Sequence, residues 1–211
     1  MKNQTSPVVA VIGDLVGSRE HVSRRDVQRG LLGALDAVTR RVDAVQPLAA
    51  TIGDEFQGVY ATIGEALRST ALVRLLLPQG LDARFGLGIG TLEVVGESAY
   101  GLTQDGPAWW AARDAVEEAE TRQRKYPALR TWARAHETTG ADVNLVNAYA
   151  LCRDQLLTDL DDRQRRIALG VLDGRTLAEL ADDEGISASA VSQRYRRGIG
   201  ALVESIATVA A

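Results

Sequence analysis

The chain has 211 residues, of which 45% are hydrophobic and 25% are charged, and its net charge is -4. This length and apolar content allow one large domain or two small ones with buried cores. The negative net charge argues against a generally basic protein that coats nucleic acid. It does not exclude a local basic face. A single cysteine excludes an intrachain disulfide, and only two histidines accompany it, which disfavours a zinc site.

Membrane attachment is also disfavoured by the sequence. No apolar run approaches the roughly 20 residues that a membrane helix needs. The N-terminal residues lack the apolar core of a signal peptide. We therefore expect a cytoplasmic protein without a membrane partner.

The first predicted element is a strand. The apolar run Val8–Ile12 is typical of a strand buried on both faces, and it ends in Gly13-Asp14. A turn at residues 17–19 follows, and helical spacing from His21 to Val45 predicts an amphipathic crossover helix. Pro47 ends that helix.

The stretch Ala49–Tyr60 predicts a β-hairpin, with apolar segments on both sides of a Gly53-Asp54-Glu55 turn. Two carboxylates then lie at an exposed tip, and Asp14 ends a neighbouring strand. Hard cations such as Mg²⁺ bind one or two carboxylates together with nucleotide phosphates and water. The pattern therefore predicts a metal site formed by Asp14, Asp54 and Glu55. The alternative is that each aspartate only stabilises a turn or caps an element.

A second helix is predicted from Ile63 to Leu77, before Pro78 and Gly80. The strand Ala83–Val95 follows, and its glycines at every second position suit a second backbone or a ligand that approaches closely. These glycines are not a dinucleotide fingerprint, because no helix opens directly after them.

Residues 96–106 are predicted to form a polar loop, and a helix is predicted from Pro107. Since adjacent residues on a helix point in different directions, one of Trp109 and Trp110 is expected in the core and the other at a surface or pocket.

The next segment is less regular. Arg122, Arg124 and Lys125 form a basic patch that we interpret as a solvated helix end rather than a phosphate-facing rim. Tyr126–Trp132 predicts a strand at the sheet edge, where proline is tolerated. Val143–Leu157 predicts a helix that links two parts of the chain.

The C-terminal part predicts a helix-turn-helix. Asp161 and Asp162 cap a first helix, Thr176 caps a second, and a turn at residues 185–187 leads to a third helix from Ser189 through Leu202. The residues expected to face DNA are Ser187, Ser189, Ser192, Gln193, Arg194, Arg196 and Arg197. The hydroxyls and arginines would hold the phosphate backbone, and Gln193 would reach the bases.

The alternative for this part is a three-helix packing or dimerisation module whose arginines are merely solvated. The nearby acids Asp182, Asp183 and Glu184 would repel phosphate if they faced it. Because one such unit binds DNA weakly, we expect a homodimer that presents two recognition helices.

Four segments together resemble the SatD family in their order and spacing: Val11–Asp14, Thr51–Phe56, Arg84–Gly90 and Asp105–Arg113. That family is in turn similar to the palm-like domains of class III nucleotidyl cyclases and GGDEF proteins. The likeness to SatD covers nearly the whole chain, and the likeness to cyclases covers residues 8–120. Separately, Thr176–Arg194 resembles the C-terminal DNA-reading helices of sigma factors and response regulators.

The cyclase resemblance implies roles for individual residues. Asp14 and Asp54 match the carboxylates that hold Mg²⁺ or Mn²⁺, and Arg113 matches an arginine that stabilises phosphate charge. Trp109 stands where cyclases have an asparagine that orients the ribose, and no residue matches those that select the base. Arg113 could instead pair with Glu117, four residues further along the helix.

We further expect the turn residues Gly17, Ser18 and Arg19, with Gly53 of the hairpin, to contact the nucleotide. The predicted fold is an α/β, ferredoxin-like palm domain with a mostly antiparallel sheet over residues 1–135. A helical linker over residues 136–158 and an all-α helix-turn-helix domain over residues 159–211 follow.

The predicted function is a DNA-binding transcriptional regulator whose palm domain senses a nucleotide or metal. The alternative is a Mg²⁺- or Mn²⁺-dependent nucleotidyl cyclase, or a related phosphoryl-transfer enzyme, regulated by its helix-turn-helix. A third reading is an interaction module with neither activity.

Overall fold

A computed structural model describes residues 4–17, 23–51, 53–98, 101–136 and 142–209. It shows a mixed α/β fold with a mostly antiparallel sheet, which confirms that part of the predicted fold class, and the separate all-α helix-turn-helix domain stays a prediction. The helices and strands are β1 (Gln4–Val16), α1 (Arg24–Thr39), β2 (Gln46–Ala50), β3 (Glu55–Tyr60), α2 (Ile63–Leu76), β4 (Asp82–Ser98), β5 (Gly101–Asp105), α3 (Pro107–Gln123), β6 (Thr131–Ala135), α4 (Val143–Thr158), α5 (Asp162–Leu172), α6 (Leu177–Glu184), α7 (Ala188–Arg194) and α8 (Gly200–Val209).

The sheet has the strand order β2-β3-β1-β4-β5, and β6 also pairs with β4. β1 is central and runs antiparallel to both β3 and β4. β6 runs parallel to the first half of β4, with Phe85 opposite Thr131 and Ile89 opposite Ala135. The first six elements follow the order β-α-β-β-α-β.

Helices cover both faces of this sheet. Successive side chains of a strand point to opposite faces, so β1 contributes to two cores. Val9, Val11 and Leu15 pack with α1 and α2. Val8, Ala10 and Ile12 pack with α3. Asp14 has the same parity as this second set, which places it on the α3 face of β1.

The glycines of β4 explain how close α3 lies to the sheet. A Cβ atom on Gly86 would lie 2.1 Å from the backbone oxygen of Ala112, and one on Gly88 would lie 2.0 Å from that of Ala108. Only glycine fits at such distances, so the backbone of α3 packs directly on β4. The predicted close approach is confirmed, and the approaching group is a helix.

The predicted hairpin is present: β2 and β3 pair antiparallel, with Ala50 opposite Phe56. In the turn, Gly53 has φ +73° and the Thr51 N–H donates to the Glu55 carbonyl at 2.9 Å. The predicted polar loop over residues 96–106 was wrong, because β4 continues to Ser98 and pairs with β5. Backbone pairing does not require apolar side chains, so a polar hairpin resembles a loop in sequence.

Helix α4 is attached to β6 and α2 by a buried carboxylate. Asp154, fully buried, accepts hydrogen bonds from the backbone N–H groups of Arg130 at 2.8 Å and Thr131 at 2.7 Å. It also accepts from the guanidinium groups of Arg153 at 2.9 Å and Arg74 at 3.3 Å. These contacts satisfy a charge that would otherwise be strongly destabilising at this depth.

The C-terminal helices pack against α2 through a shared apolar core. Ala71 and Leu75 of α2 belong to the same buried cluster as residues of α5 to α8. Arg41, just after the end of α1, also forms two 2.8 Å hydrogen bonds to the carboxylate of Asp173. The predicted division at residues 135 and 158 stays a prediction.

The third C-terminal helix is not continuous. The caps at Asp161 and Thr176 begin α5 and α6 as expected, whereas α7 is capped by Ser187 and begins at Ala188, one residue before the expected start. After Arg194, however, the chain is kinked within Tyr195–Ile199, where Arg197 and Gly198 have non-helical dihedral angles and Gly198 has φ +133°, and α8 begins only at Gly200. The single helix predicted from Ser189 through Leu202 was therefore wrong. Among the described residues, no helix is both long and apolar enough to cross a membrane.

Candidate functional site

The predicted acidic residues lie together at one end of the neighbouring strands β1 and β3. Asp14 on β1 lies directly opposite Glu55 on β3 and opposite Arg84 on β4. Side chains directly opposite each other on neighbouring strands are close enough to interact. Asp54 immediately precedes β3. We call Asp14, Asp54 and Glu55 the acid cluster.

Asp14 lacks a partner for one of its oxygens. Its Oδ2 accepts a hydrogen bond from Arg84 at 3.3 Å, while its Oδ1 is buried and has no hydrogen-bond partner among the described residues. Burial raises the pKa of Asp14, Arg84 lowers it, and the charges of Asp54, Glu120 and Glu55 raise it further, so the net shift is upward. A buried oxygen without a partner costs about 1–3 kcal/mol, and a bound cation would remove that cost.

Arg113 is held by Glu55. Its Nη1 and Nη2 atoms donate to the two carboxylate oxygens of Glu55 at 2.9 and 3.0 Å. The hydrogen bonds to Glu55 outweigh desolvation and raise the pKa of Arg113, with smaller contributions from the charges of Glu117 and Asp14. The pairing thus runs from α3 to β3 and brings a guanidinium to the acid cluster, whereas the Glu117 alternative placed it along the helix surface.

A second arginine, Arg84, was not predicted as part of the site. Its side chain is only 11% exposed, and it donates to Gln123 at 3.0 Å besides Asp14. Glu120 lies 3.6 Å from the same guanidinium. The antiparallel register of β1 and β4 is the signal that identifies Arg84, because it places this residue opposite Asp14.

A cleft of about 470 Å³ lies beside the acid cluster on the α3 face. Its lining residues are Ile12, Gln57, Gln104, Trp109, Trp110, Arg113 and Asp114. Arg113 lines the cleft and bonds to Glu55 of the acid cluster, so the cleft adjoins the cluster.

The two adjacent tryptophans behave differently. Trp109 packs against the core under α3, whereas Trp110 is 52% exposed and donates its indole N–H to Asp105 at 2.9 Å. Both also line the cleft. The indole N–H of Trp109 and the Oε1 of Gln104 are buried without hydrogen-bond partners among the described residues. Gln104 was missed because it falls in the segment predicted as a loop.

The donor set suits a cation that brings its other ligands with it. Within the described ranges, no group of three or more His, Cys, Asp or Glu side chains is arranged to hold a metal ion. Asp14 and Asp54 are the carboxylates that the cyclase resemblance assigns to the metal, and Glu55 is bonded to Arg113. Mg²⁺ characteristically takes one or two carboxylates and completes its shell with water and phosphate.

The predicted nucleotide-contacting turns are described only in part. Gly17 directly follows β1 and has φ +72°, and Gly53 has φ +73°, so both use backbone conformations that favour glycine. Ser18 and Arg19 lie outside the described residues.

The predicted DNA-facing residues lie on and after α7. Ser187 caps the helix by accepting from the Ala190 N–H at 3.2 Å. Ser189, Gln193, Arg196 and Arg197 are exposed, and Ser192 and Arg194 are half-buried. Over the described residues, none of the three arginines forms an ion pair.

Two of the three neighbouring acids are neutralised. Glu184 bonds to Arg166 at 2.6 and 2.7 Å and to Arg163 at 3.2 Å, and Asp183 pairs with Arg175. The hydrogen bonds from Arg166, with further contributions from Arg163, lower the pKa of Glu184 despite desolvation. The repulsion that these acids would exert on phosphate is therefore reduced.

Comparisons with known proteins identify a family and similar folds. The SatD family model matches residues 8–198. No curated protein sequence matches the chain significantly. A bacterial light-regulated adenylyl cyclase is similar at a TM-score of 0.48 and 17% identity, covering 64% of this chain and 45% of that one. This chain therefore spans less than half the length of that cyclase.

Two further similar structures are guanylyl cyclases. The guanylate cyclase domain of RhGC from Catenaria anguillulae, in complex with GTP, has a TM-score of 0.41 and 18% identity, covering 53% of this chain and 72% of that one. The guanylyl cyclase Cya2 has a TM-score of 0.42 and 16% identity, covering 59% of this chain and 80% of that one.

Proposed function

The chain belongs to the SatD family, and we propose that its acid cluster binds Mg²⁺ or Mn²⁺ and, through that ion, the phosphates of a nucleoside triphosphate. The observation that carries this proposal is the buried Oδ1 of Asp14, which has no partner in the described chain while other carboxylates surround it. A cation would give that oxygen the partner that the described residues do not supply.

Each residue of the site has a distinct role in this proposal. Asp14 and Asp54 hold the cation, and Glu55 orients Arg113 by its two hydrogen bonds. Arg113 then faces the phosphates, where a planar guanidinium binds oxygen pairs well. Arg84 keeps Asp14 in place through its 3.3 Å contact. The bound ion would neutralise phosphate charge and polarise phosphorus for attack.

Cation binding is tested by titrating the protein with Mn²⁺ and measuring the free ion by electron paramagnetic resonance. Asp14→Asn and Asp54→Asn should each weaken Mn²⁺ binding at least about tenfold, because each removes an anionic ligand. Asp43→Asn, an exposed aspartate between α1 and β2, is the matched control and should bind like the wild type. Equal binding by all four proteins would disprove the site.

Phosphoryl transfer is the chemistry that such a site supports, nucleotidyl cyclisation included. Incubation with Mg²⁺ or Mn²⁺ and each nucleoside triphosphate distinguishes an enzyme from a sensor. A cyclic product that disappears in Asp14→Asn and Asp54→Asn would establish the enzyme. Ion-dependent nucleotide binding without turnover would establish the sensor.

DNA binding by α7 and the segment after it is the second candidate function. It is favoured by one observation: three arginines there lack ion pairs among the described residues, while Asp183 and Glu184 are neutralised. In this proposal the chain is a homodimer that presents two copies of α7, and nucleotide binding would alter their spacing.

A gel shift on the gene's own upstream DNA tests this second function. The double variant Arg194→Ala and Arg197→Ala should abolish the shift and reduce its salt dependence. Arg24→Ala with Arg25→Ala, two exposed arginines at the start of α1, removes the same charge elsewhere and should preserve the shift. Equal loss in both double variants would show only nonspecific attraction.

A further inference from the structure

Two residues that line the cleft beside the acid cluster each carry a buried polar atom for which the described residues supply no hydrogen-bond partner. The indole N–H of Trp109 and the Oε1 of Gln104 are both buried, and within the described chain neither has a hydrogen-bond partner. Both residues line the same cleft. Because an unpaired buried polar atom costs about 1–3 kcal/mol, such atoms in a cleft indicate a polar ligand.

Trp110 differs from Trp109 in the hydrogen bonding of its indole N–H. Trp110 lines the same cleft, yet its indole N–H is already bonded to Asp105 at 2.9 Å. Trp109 and Gln104 together therefore offer one N–H donor and one oxygen acceptor. The complementary group accepts one hydrogen bond and donates another, as a sugar hydroxyl or the edge of a nucleobase does.

The charges around the cleft fix which part of a ligand enters it. Asp114 lines the cleft and would repel phosphate, whereas Arg113 lies where the cleft meets the acid cluster. An anionic group is therefore directed to Arg113 and the cation, and a neutral polar group to Trp109 and Gln104. The volume of about 470 Å³ lies within the usual range for small-molecule sites, roughly 300–1,000 Å³.

We propose that this cleft is the subsite for the nucleoside portion of the nucleotide, with Trp109 donating to it and Gln104 accepting from it. This inference rests on the proposed function for the phosphate end of the ligand. Trp109 and Gln104 then determine which nucleosides bind, and the acid cluster binds, through its cation, the triphosphate that all nucleoside triphosphates share.

The test compares two probes in the presence of Mn²⁺: inorganic triphosphate and each nucleoside triphosphate, titrated by calorimetry. Trp109→Phe keeps the aromatic ring but removes the donor, and Gln104→Met keeps the length but removes the amide. Each variant should weaken binding of the preferred nucleoside triphosphate about five- to tenfold, because one hydrogen bond is lost. Binding of inorganic triphosphate should stay unchanged. The control is Trp132→Phe, because the Trp132 ring contacts Arg122 and does not line the cleft. This variant should change the binding of neither probe.

Two results would overturn the proposed subsite. In the first, Trp109→Phe and Gln104→Met weaken the binding of both probes to the same extent. In the second, they weaken the binding of neither probe. Failure of the proposed function gives a different result, because inorganic triphosphate would then bind equally well to wild type and Asp14→Asn. In that case a titration with free nucleosides decides the subsite alone: weaker binding to Trp109→Phe than to Trp132→Phe supports it, and equal binding refutes it. Thermal melts of all variants identify any that fail to fold.

Discussion

At the scale of single residues, Asp14 carries a negative charge that its surroundings neutralise only partly. One oxygen contacts Arg84 at 3.3 Å and the other has no partner within the described chain. Natural proteins retain such groups mainly where a ligand uses them. The protein is therefore expected to be less stable with Asp14 than without it.

Asp14→Asn should stabilise the ligand-free protein by about 1 kcal/mol near neutral pH, a modest value because the side chain is one-third exposed. The folded pKa of Asp14 is raised by burial and by neighbouring acids. The wild type therefore loses stability as the pH rises through that raised pKa, and the two proteins converge below the ordinary pKa of aspartate. Thermal melts at about pH 3, below the ordinary pKa of aspartate, and at about pH 7.5 measure this.

A constant difference between the two proteins at both pH values would contradict this account of Asp14. Addition of Mn²⁺ provides an internal check. The ion should raise the melting temperature of the wild type and leave that of Asp14→Asn unchanged, since only the former retains the ligand.

Sequence reasoning located the aspartates of this site but not their partners. Asp14 and Asp54 each follow a short apolar run, and that pattern is local. The bond between Arg113 and Glu55 joins residues 58 positions apart, and it depends on where α3 crosses the sheet. No local pattern specifies that crossing, so helix-surface pairing with Glu117 was an equally sound prediction.

At the scale of elements, the contact between α3 and β4 positions Arg113 and both cleft tryptophans. Gly88→Ala should destabilise the protein by about 3 kcal/mol, because the added Cβ meets backbone atoms of Ala108 and Ala112 at 2.0 and 2.2 Å. The matched control is Gly33→Ala on α1, where a Cβ meets nothing within 4 Å. This change should stabilise by about 0.5–1 kcal/mol through helix propensity. Urea unfolding measures both.

Helix α4 offers a second test at this scale. Asp154→Ala should cost about 3–5 kcal/mol, because it leaves Arg153 and Arg74 without their shared buried carboxylate. Asp159→Ala at the exposed C-terminal end of the same helix should cost less than about 1 kcal/mol. Chemical denaturation compares the two, and similar losses would show that the buried contacts of Asp154 contribute little.

The elements that sequence reasoning missed share a physical cause. β5 contains few apolar residues and is held by backbone pairing with β4, which leaves little hydrophobic pattern to detect. The break between α7 and α8 depends on the positive φ of Gly198, a conformation that glycine permits but does not require. Helix α2, with a broad apolar face and a threonine cap, was by contrast predicted at nearly its observed bounds.

At the scale of the whole molecule, the C-terminal helices and α2 share one core. Leu75→Ala should therefore destabilise the C-terminal helices by about 2–5 kcal/mol although the residue lies in α2. Leu32→Ala on the exposed side of α1 is the control and should change stability by less than about 0.5 kcal/mol. Hydrogen exchange reports where protection is lost.

If Leu75→Ala lowers protection only in α2 and leaves α5 to α8 protected, the C-terminal helices fold independently and the predicted domain boundary is correct. If protection falls in α2 and in α5 to α8 together, the chain unfolds as one cooperative unit.

The direct contact between the α3 backbone and the glycines of β4 also limits which substitutions can change the ligand specificity of the cleft. No side chain separates the two backbones there, so changes on the inner side of the helix would lift it and displace Arg113 together with the tryptophans. We expect variation instead at the cleft residues outside that contact, namely Gln57, Gln104 and Asp114. Members of this family that accept different ligands should therefore differ at those three positions while keeping the glycines of β4.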